Sequence, residues 1–251
     1  SIVNPRNIIE LEENAEAIII EHYINIGTSK CFTNFVSEKY LAKNSKLDGY
    51  TIQDESTNGY GVYTNQVELK ENSNYTNSTI TLSGQLVRNN HNVVLNEKNC
   101  EANLNGLFKI NGNQIVDNHT LMDHQFPYCQ SNELYKGIID GKSTGVFNGK
   151  IFVRKDAQKT NAYQSSKNIL LSDDASINTK PQLEIYADDV KCSHGTSTGK
   201  IEDEAMFYLH ARGIGKESAK KLLLNAFAEE IIERIQVESL QELIKNKLNL
   251  L

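Results

Sequence analysis

A loose repeat in the first half of the chain most constrains how it can fold. Segments that begin at Leu11, Leu41, Leu69 and Leu95 each join an apolar residue to a short turn rich in Asn, Asp, Ser and Lys, followed by a strand-like run. Successive starts are separated by 30, 28 and 26 residues, and "LSDDASI" at Leu171 has the same form. Units of this kind bury an apolar face only by stacking on their neighbours, so the pattern predicts an irregular β-solenoid.

A β-sandwich is the main alternative, because it too is built from short strands separated by turns. The runs Gly145–Val153 and Asn168–Leu171 are β-prone and are set off by Asn, Gly and Ser. The recurrence of one turn pattern favours the solenoid. We therefore predict a mainly β chain, with a solenoid core over residues 1–198 and a helical domain over residues 199–251.

Beyond Gly199 the pattern changes from strands to helices. Three acidic residues at 202–204 suit a first helical turn, where carboxylates interact favourably with the helix dipole, and Gly213 suits the position just after a helix end. A second predicted helix spans residues 216–235, and a third amphipathic segment spans residues 237–251.

The second predicted helix carries two apolar stripes, so it must cover two surfaces. One stripe consists of Ala219, Leu222, Leu223, Ala226, Phe227 and Ile231, and the other of Leu224, Ala228, Ile232 and Ile235. In one interpretation, the stripes pack on the β core and on a neighbouring helix. In the other, part of this surface binds another protein.

Composition excludes several classes of function. The net charge is −6, the pI is about 5.6 and no cluster of Lys and Arg appears, which argues against nucleic-acid binding. No stretch approaches the roughly 18 consecutive apolar residues of a membrane span. The four cysteines are scattered without a C-x-x-C pair, so we expect a reducing compartment, the cytoplasm.

The stretch "IYADDVKCSHG" contains the most suggestive chemistry. On a strand, Cys192 and His194 lie on one face with their Cβ atoms roughly 6.5 to 7 Å apart. That separation argues against a nucleophilic thiol–imidazole pair but suits two ligands of a metal or cluster. Zinc and iron–sulfur clusters normally take four ligands, so the others would come from elsewhere. The alternative is that Cys192 is a buried apolar residue and His194 a polar residue at a strand end.

A second candidate is a zinc site formed by His119, His124 and Cys129. On a strand the two histidines face opposite sides, so a shared site would require a bend, and buried or hydrogen-bonded histidines are the simpler interpretation. Neither a Gly-rich phosphate loop nor a G-x-S-x-G motif is present.

The segment from His119 to Ile214 closely resembles a known family. It contains "NTKPQLEIYADDVKCSHG", an acidic helix start and "ARGI", a long block that is similar to the SufB/SufD family, on its SufD side. These proteins are scaffold subunits of the SUF iron–sulfur cluster assembly machinery. The resemblance implies a right-handed parallel β-helix with a C-terminal helical domain. It also implies that the family's N-terminal helical region is missing from this chain, which begins "SIVNPRN".

The resemblance further implies a non-catalytic scaffold that works with SufB and the ATPase SufC. His194, with Cys192, would form half of a nascent iron–sulfur cluster site that SufB completes. We therefore expect no tightly bound cofactor and no metal on the isolated chain, which would form a homodimer. The residues alone leave one alternative, a β-solenoid that binds or acts on carbohydrate.

For SufC, the resemblance implies docking on the C-terminal helices, with ATP hydrolysis belonging to SufC. The candidate docking residues are Leu222, Leu223, Ala226, Phe227 and Ile231.

Overall fold

The computed structural model describes residues 1–25 and 29–248 of the chain. Short strands occupy the chain up to Gly199, and helices follow. The strands are β1 (Ile2–Val3), β2 (Arg6–Leu11), β3 (Glu16–Ile24), β4 (Cys31–Leu41), β5 (Lys46–Asp54), β6 (Gly59–Leu69), β7 (Asn74–Ser83), β8 (Leu86–Leu95), β9 (Glu101–Ile110), β10 (Ile115–His124), β11 (Gln130–Ile139), β12 (Thr144–Val153), β13 (Asn161–Leu170), β14 (Ser176–Thr179), β15 (Gln182–Ile185) and β16 (Lys191–Gly199). The helices are α1 (Asp203–Ala211), α2 (Lys216–Ile232) and α3 (Glu238–Lys247).

From β3 to β14, successive strands alternate between two parallel sheets. Sheet A has the order β1-β4-β6-β8-β10-β12-β14, with β2 also paired to β4 and β15 to β12. Sheet B has the order β16-β13-β11-β9-β7-β5-β3. A chain that alternates in this way winds as a solenoid, in which each coil hydrogen-bonds to the coil before it. This confirms the predicted parallel β-solenoid and rules out the β-sandwich.

The leucines of the sequence repeat form one continuous column inside the solenoid. Leu11 is paired in register with Leu41, Leu41 with Leu69, and Leu69 with Leu95. These side chains are fully or almost fully buried. The next two members of the same column are His124 and Val153. The leucine repeat ends before them, because neither position holds a leucine.

The assignment of Leu171 to the same repeat is wrong. Leu171 directly follows β13 in sheet B, and its backbone N–H donates to the carbonyl of Ile139 (2.8 Å). It therefore lies at the other turn of the coil. Both kinds of turn begin with an apolar residue followed by polar ones, so the local sequence could not distinguish them.

Asparagines stabilise the turn that follows the leucine column. Asn14, Asn44, Asn72 and Asn99 all have left-handed backbone conformations, with φ between 58° and 62°. Asparagine tolerates this conformation better than most residues, because its short polar side chain bonds locally. The side chains form a ladder in which each amide Nδ2 donates to the Oδ1 of the previous coil, at 2.9 to 3.1 Å.

The C-terminal helices cover the outer face of sheet B. The stripe predicted for Leu224, Ala228, Ile232 and Ile235 is buried against outward-facing residues of the sheet, which include Tyr50, Ile52, Ile80, Leu107, Leu134 and Ile138. Sheet B is therefore buried on both faces over much of its area, which explains why β5 lacks the alternation of buried and half-buried residues seen in β6.

The predicted helix boundaries agree with the structure to within a few residues. Gly213 has φ 82°, and the N–H groups of Gly213 and Ile214 donate to the carbonyls of His210 (2.9 Å) and Leu209 (3.2 Å). This is the Schellman arrangement expected of a glycine after a helix end. The second helix ends at Ile232 rather than 235, and the last three residues of the third predicted segment, 249–251, lie outside the described residues.

We predict that Asn72→Ala lowers the free energy of unfolding by about 2 kcal/mol, because alanine loses two ladder hydrogen bonds and is strained at positive φ. Asn72→Gly, which loses the hydrogen bonds but accepts the conformation, should cost about half as much. Chemical denaturation of the two variants separates the cost of the lost hydrogen bonds from the cost of the strained backbone. Equal losses for alanine and glycine would show that the backbone conformation contributes nothing.

Candidate functional site at the end of the solenoid

Strand β16 is the last strand of sheet B and has a partner on one side only. It pairs with β13, from Asn161↔Lys191 to Ile169↔Gly199. Its other edge carries backbone N–H and C=O groups without a strand partner among the described residues. A nine-residue free edge is a template on which another strand can pair.

Cys192 and His194 lie on β16 and face the same side of it, as the strand alternation predicts. They are in register with Ala162 and Gln164 of β13, both of which are buried inside the solenoid. Cys192 packs against the buried apolar side chains inside the solenoid, and this burial raises the pKa of its thiol. His194 is exposed. These two side chains therefore lie where the interior column of the solenoid opens to solvent.

A buried polar column leads inward from His194. Gln164 is its register neighbour on β13, and Glu133 is the register neighbour of Gln164 on β11. Gln164 Nε2 donates to Glu133 Oε1 at 3.0 Å. Burial raises the pKa of the Glu133 carboxyl to about 7, and the nearby Thr120 hydroxyl and Gln164 amide offset part of this effect. The sequence alone does not point to Glu133 and Gln164, because only the register places them beneath His194.

At the same end of the solenoid lies a polar groove of about 530 Å³, whose lining includes Tyr163, Lys167, His194 and Arg234. Glu230, which also lines it, bonds to Lys136 (2.5 Å) and Lys167 (3.2 Å). The lining contains two cationic side chains, Lys167 and Arg234, and two carboxyl groups, Glu133 and Glu230. The groove therefore carries charged groups of both signs, without an excess of cationic side chains.

The structure distributes the predicted docking residues over different environments. Ile231 is buried against the solenoid, so it is not accessible to a partner, whereas Leu222 (48% exposed) and Ala226 are exposed. Leu223 and Phe227 are half-buried, and the ammonium group of Lys136 lies 4.3 Å from the centre of the Phe227 ring.

Two aromatic residues of α1 were missed as surface candidates. Phe207 is 73% exposed and Tyr208 is 53% exposed, and α1 buries none of its residues. The signal was present in the apolar run "AMFYL", which lies within the first predicted helix.

The zinc alternative does not fit the structure. His119 faces outward, where its Nε2 lies 2.9 Å from Asp117 Oδ1, whereas His124 is buried and its Nε2 bonds Ser131 Oγ at 2.8 Å. Within residues 1–25 and 29–248, no three His, Cys, Asp or Glu side chains are placed to hold a metal ion. Cys192 and His194 supply one sulfur and one nitrogen donor, which is half of the set that an iron–sulfur cluster normally takes.

Among the described helices, none combines the length and the apolar character that crossing a bilayer requires.

Comparison with known proteins assigns a family. The family model described as "SUF system FeS cluster assembly, SufBD core domain" matches residues 1–227. The chain is 35% identical to the iron–sulfur cluster assembly protein SufD of Escherichia coli (strain K12) over 237 residues, or 94% of this chain and 56% of that protein. It is 36% identical to a SufBD family protein of Synechocystis over 248 residues, or 96% of this chain and 55% of that protein. The chain thus spans little more than half the length of these relatives.

We predict that Glu133→Gln changes how stability depends on pH. Burial raises the folded-state pKa of the Glu133 carboxyl from its ordinary value of 4.5 to about 7, so the wild type is stabilised at low pH and loses stability as the pH rises through that interval. Glutamine removes this dependence and should raise the free energy of unfolding above pH 7 by about 3 kcal/mol relative to wild type. Chemical denaturation between pH 4 and pH 8 measures how the free energy of unfolding depends on pH, with the variant Glu12→Gln at an exposed position as control. Parallel curves for Glu133→Gln and wild type would contradict the prediction.

Proposed function

Because the chain belongs to the SufBD family of the SUF iron–sulfur cluster assembly system, we propose that it is a scaffold subunit of that system and not an enzyme. The observation that carries the proposal is the open end of the solenoid, where Cys192 and His194 lie on a strand with a free edge. The family assignment also favours cluster assembly over the carbohydrate alternative.

The free edge of β16 is the proposed contact with SufB. An added strand would satisfy the unpaired backbone groups of β16 and cover interior residues that no further coil covers. In the isolated chain a second copy would take this place, which is the basis of the expected homodimer. The contact is therefore made mainly by backbone pairing, with side chains selecting the partner.

The nascent cluster is the cargo of this contact. A thiolate sulfur and an imidazole nitrogen are both suitable ligands of iron, and their shared face directs them toward the proposed partner. SufB would supply the remaining ligands, so the cluster forms only in the complex. Of the two donors, His194 is the more accessible, since Cys192 is partly buried against the apolar side chains inside the solenoid.

The SufC ATPase is proposed to dock on α1 and α2. Phe207, Tyr208 and Leu222 are large apolar side chains exposed on these two adjacent helices. Exposed apolar groups on a helix pair are typical of a protein contact. ATP hydrolysis belongs to SufC, and we place the complex in the cytoplasm, where the four free cysteines stay reduced.

We predict that His194→Ala leaves the complex with SufB and SufC assembled but lowers its cluster content at least severalfold. The alanine removes a proposed ligand without touching the backbone edge. Ser193→Ala, on the opposite face of the same strand, is the matched control. Co-purification and the visible absorbance of the cluster measure the two properties. Full cluster content in His194→Ala would remove His194 from the site.

We predict that Leu222→Glu weakens SufC binding by about 2 kcal/mol, the cost of losing a central apolar contact. Leu222 is exposed, so the fold should be unchanged. Ser239→Glu, which adds the same charge at an exposed position of α3, should bind normally. Calorimetric titration with SufC compares them, and equal affinities would disprove docking at this position.

A further inference from the structure

Cys100 and Cys129 occupy equivalent positions in two successive turns of the solenoid. Each directly precedes a strand of sheet B, β9 or β11, and these strands are paired in register from Glu101↔Gln130 onward. The N–H of Gln130 donates to the carbonyl of Cys100 at 2.9 Å. Neighbouring parallel strands lie about 4.8 Å apart, within the Cα–Cα range of roughly 4.4 to 6.8 Å found in disulfides.

The two sulfur atoms converge on a single backbone oxygen. The carbonyl of Glu97 accepts from Cys100 Sγ at 3.1 Å and from Cys129 Sγ at 3.2 Å. The thiols are also within hydrogen-bonding reach of each other, and His124 lies beside Cys129. The Cys100 thiol lowers the pKa of the Cys129 thiol, which favours the nucleophilic thiolate at Cys129.

In three other coils the equivalent position holds a hydroxyl residue. Ser45, Ser73 and Thr160 each donate to the carbonyl three residues earlier, at 2.6 to 2.8 Å, as Cys100 does. A thiol is therefore not needed for the turn. What two adjacent thiols add is chemistry that hydroxyl groups lack, the reversible formation of a sulfur–sulfur bond.

We propose that Cys100 and Cys129 are a redox-active dithiol that a small hydroperoxide converts to a disulfide. The Cys129 thiolate attacks one peroxide oxygen, the O–O bond breaks, and the leaving hydroxide takes up a proton to become water. The resulting sulfenic acid at Cys129 is attacked by the Cys100 sulfur. The S–O bond then breaks and the oxygen leaves as a second water with the Cys100 proton. Two thiols and one hydrogen peroxide thus give one disulfide and two waters.

Burial selects the oxidant. Cys100 is 1% exposed and Cys129 is fully buried, so hydrogen peroxide can reach them by small openings of the turn, whereas bulky disulfides and alkylating reagents cannot. Cys31 and Cys192 are only partly buried and remain open to such reagents. The disulfide would join two coils in the middle of the solenoid and constrain the unfolded chain, so the oxidised protein should resist unfolding better.

The test uses the folded chain after Cys31 and Cys192 have been alkylated with N-ethylmaleimide. Treatment with hydrogen peroxide should lower the intact mass by two hydrogen atoms, and peptide mapping should locate a Cys100–Cys129 crosslink that a phosphine reductant removes. The melting temperature should rise on oxidation and return on reduction.

Cys100→Ser and Cys129→Ser are matched controls, because serine occupies the same turn position at 45 and 73. Both should fold normally and show no mass loss and no peroxide-dependent rise in melting temperature. Mass gains by oxygen atoms alone, an unchanged mass, or alkylation of Cys100 and Cys129 in the folded protein would each overturn the proposal.

Discussion

In-register stacking between successive coils is the interaction on which the structure depends. Each strand presents one row of side chains to the interior, and that row is buried only because the next coil places its own row upon it. Leu41, Leu69 and Leu95 are fully buried by such stacking. A slip of one residue would turn the whole row toward solvent, so the register is strongly specified. Buried polar pairs reinforce it, such as Lys39 Nζ donating to Asn65 Oδ1 at 2.6 Å.

The same constraint explains where the candidate site lies. An internal coil is covered on both sides, but the last strand of sheet B is covered on one side only. Interior-facing residues of that strand, Cys192 and His194, therefore lie at the open end of the solenoid, where His194 is exposed. The helices follow from the same geometry. By covering the outer face of sheet B they bring Glu230 and Arg234 to the groove beside His194, far along the chain from it.

Local sequence signals predicted much of this fold. The leucine repeat marked one column of the solenoid, the asparagines marked the turn after it, and Gly213 marked the end of a helix. The error at Leu171 has a physical reason, since both turns of a coil begin with an apolar residue followed by polar ones. Cys192 and His194 were found because strand alternation is local and needs no register.

The remaining features could not be read from the chain because they depend on register between distant segments. Nothing in the local sequence places Glu133 beneath Gln164 and Gln164 beneath His194, or brings the Cys100 and Cys129 sulfurs to one carbonyl oxygen. By itself the sequence determined the repeating unit, its turns and the helical end, because these follow from short-range patterns of apolar and polar residues. Only the tertiary structure decided which units stack, because stacking pairs residues about one coil apart, and so which side chains share the interior.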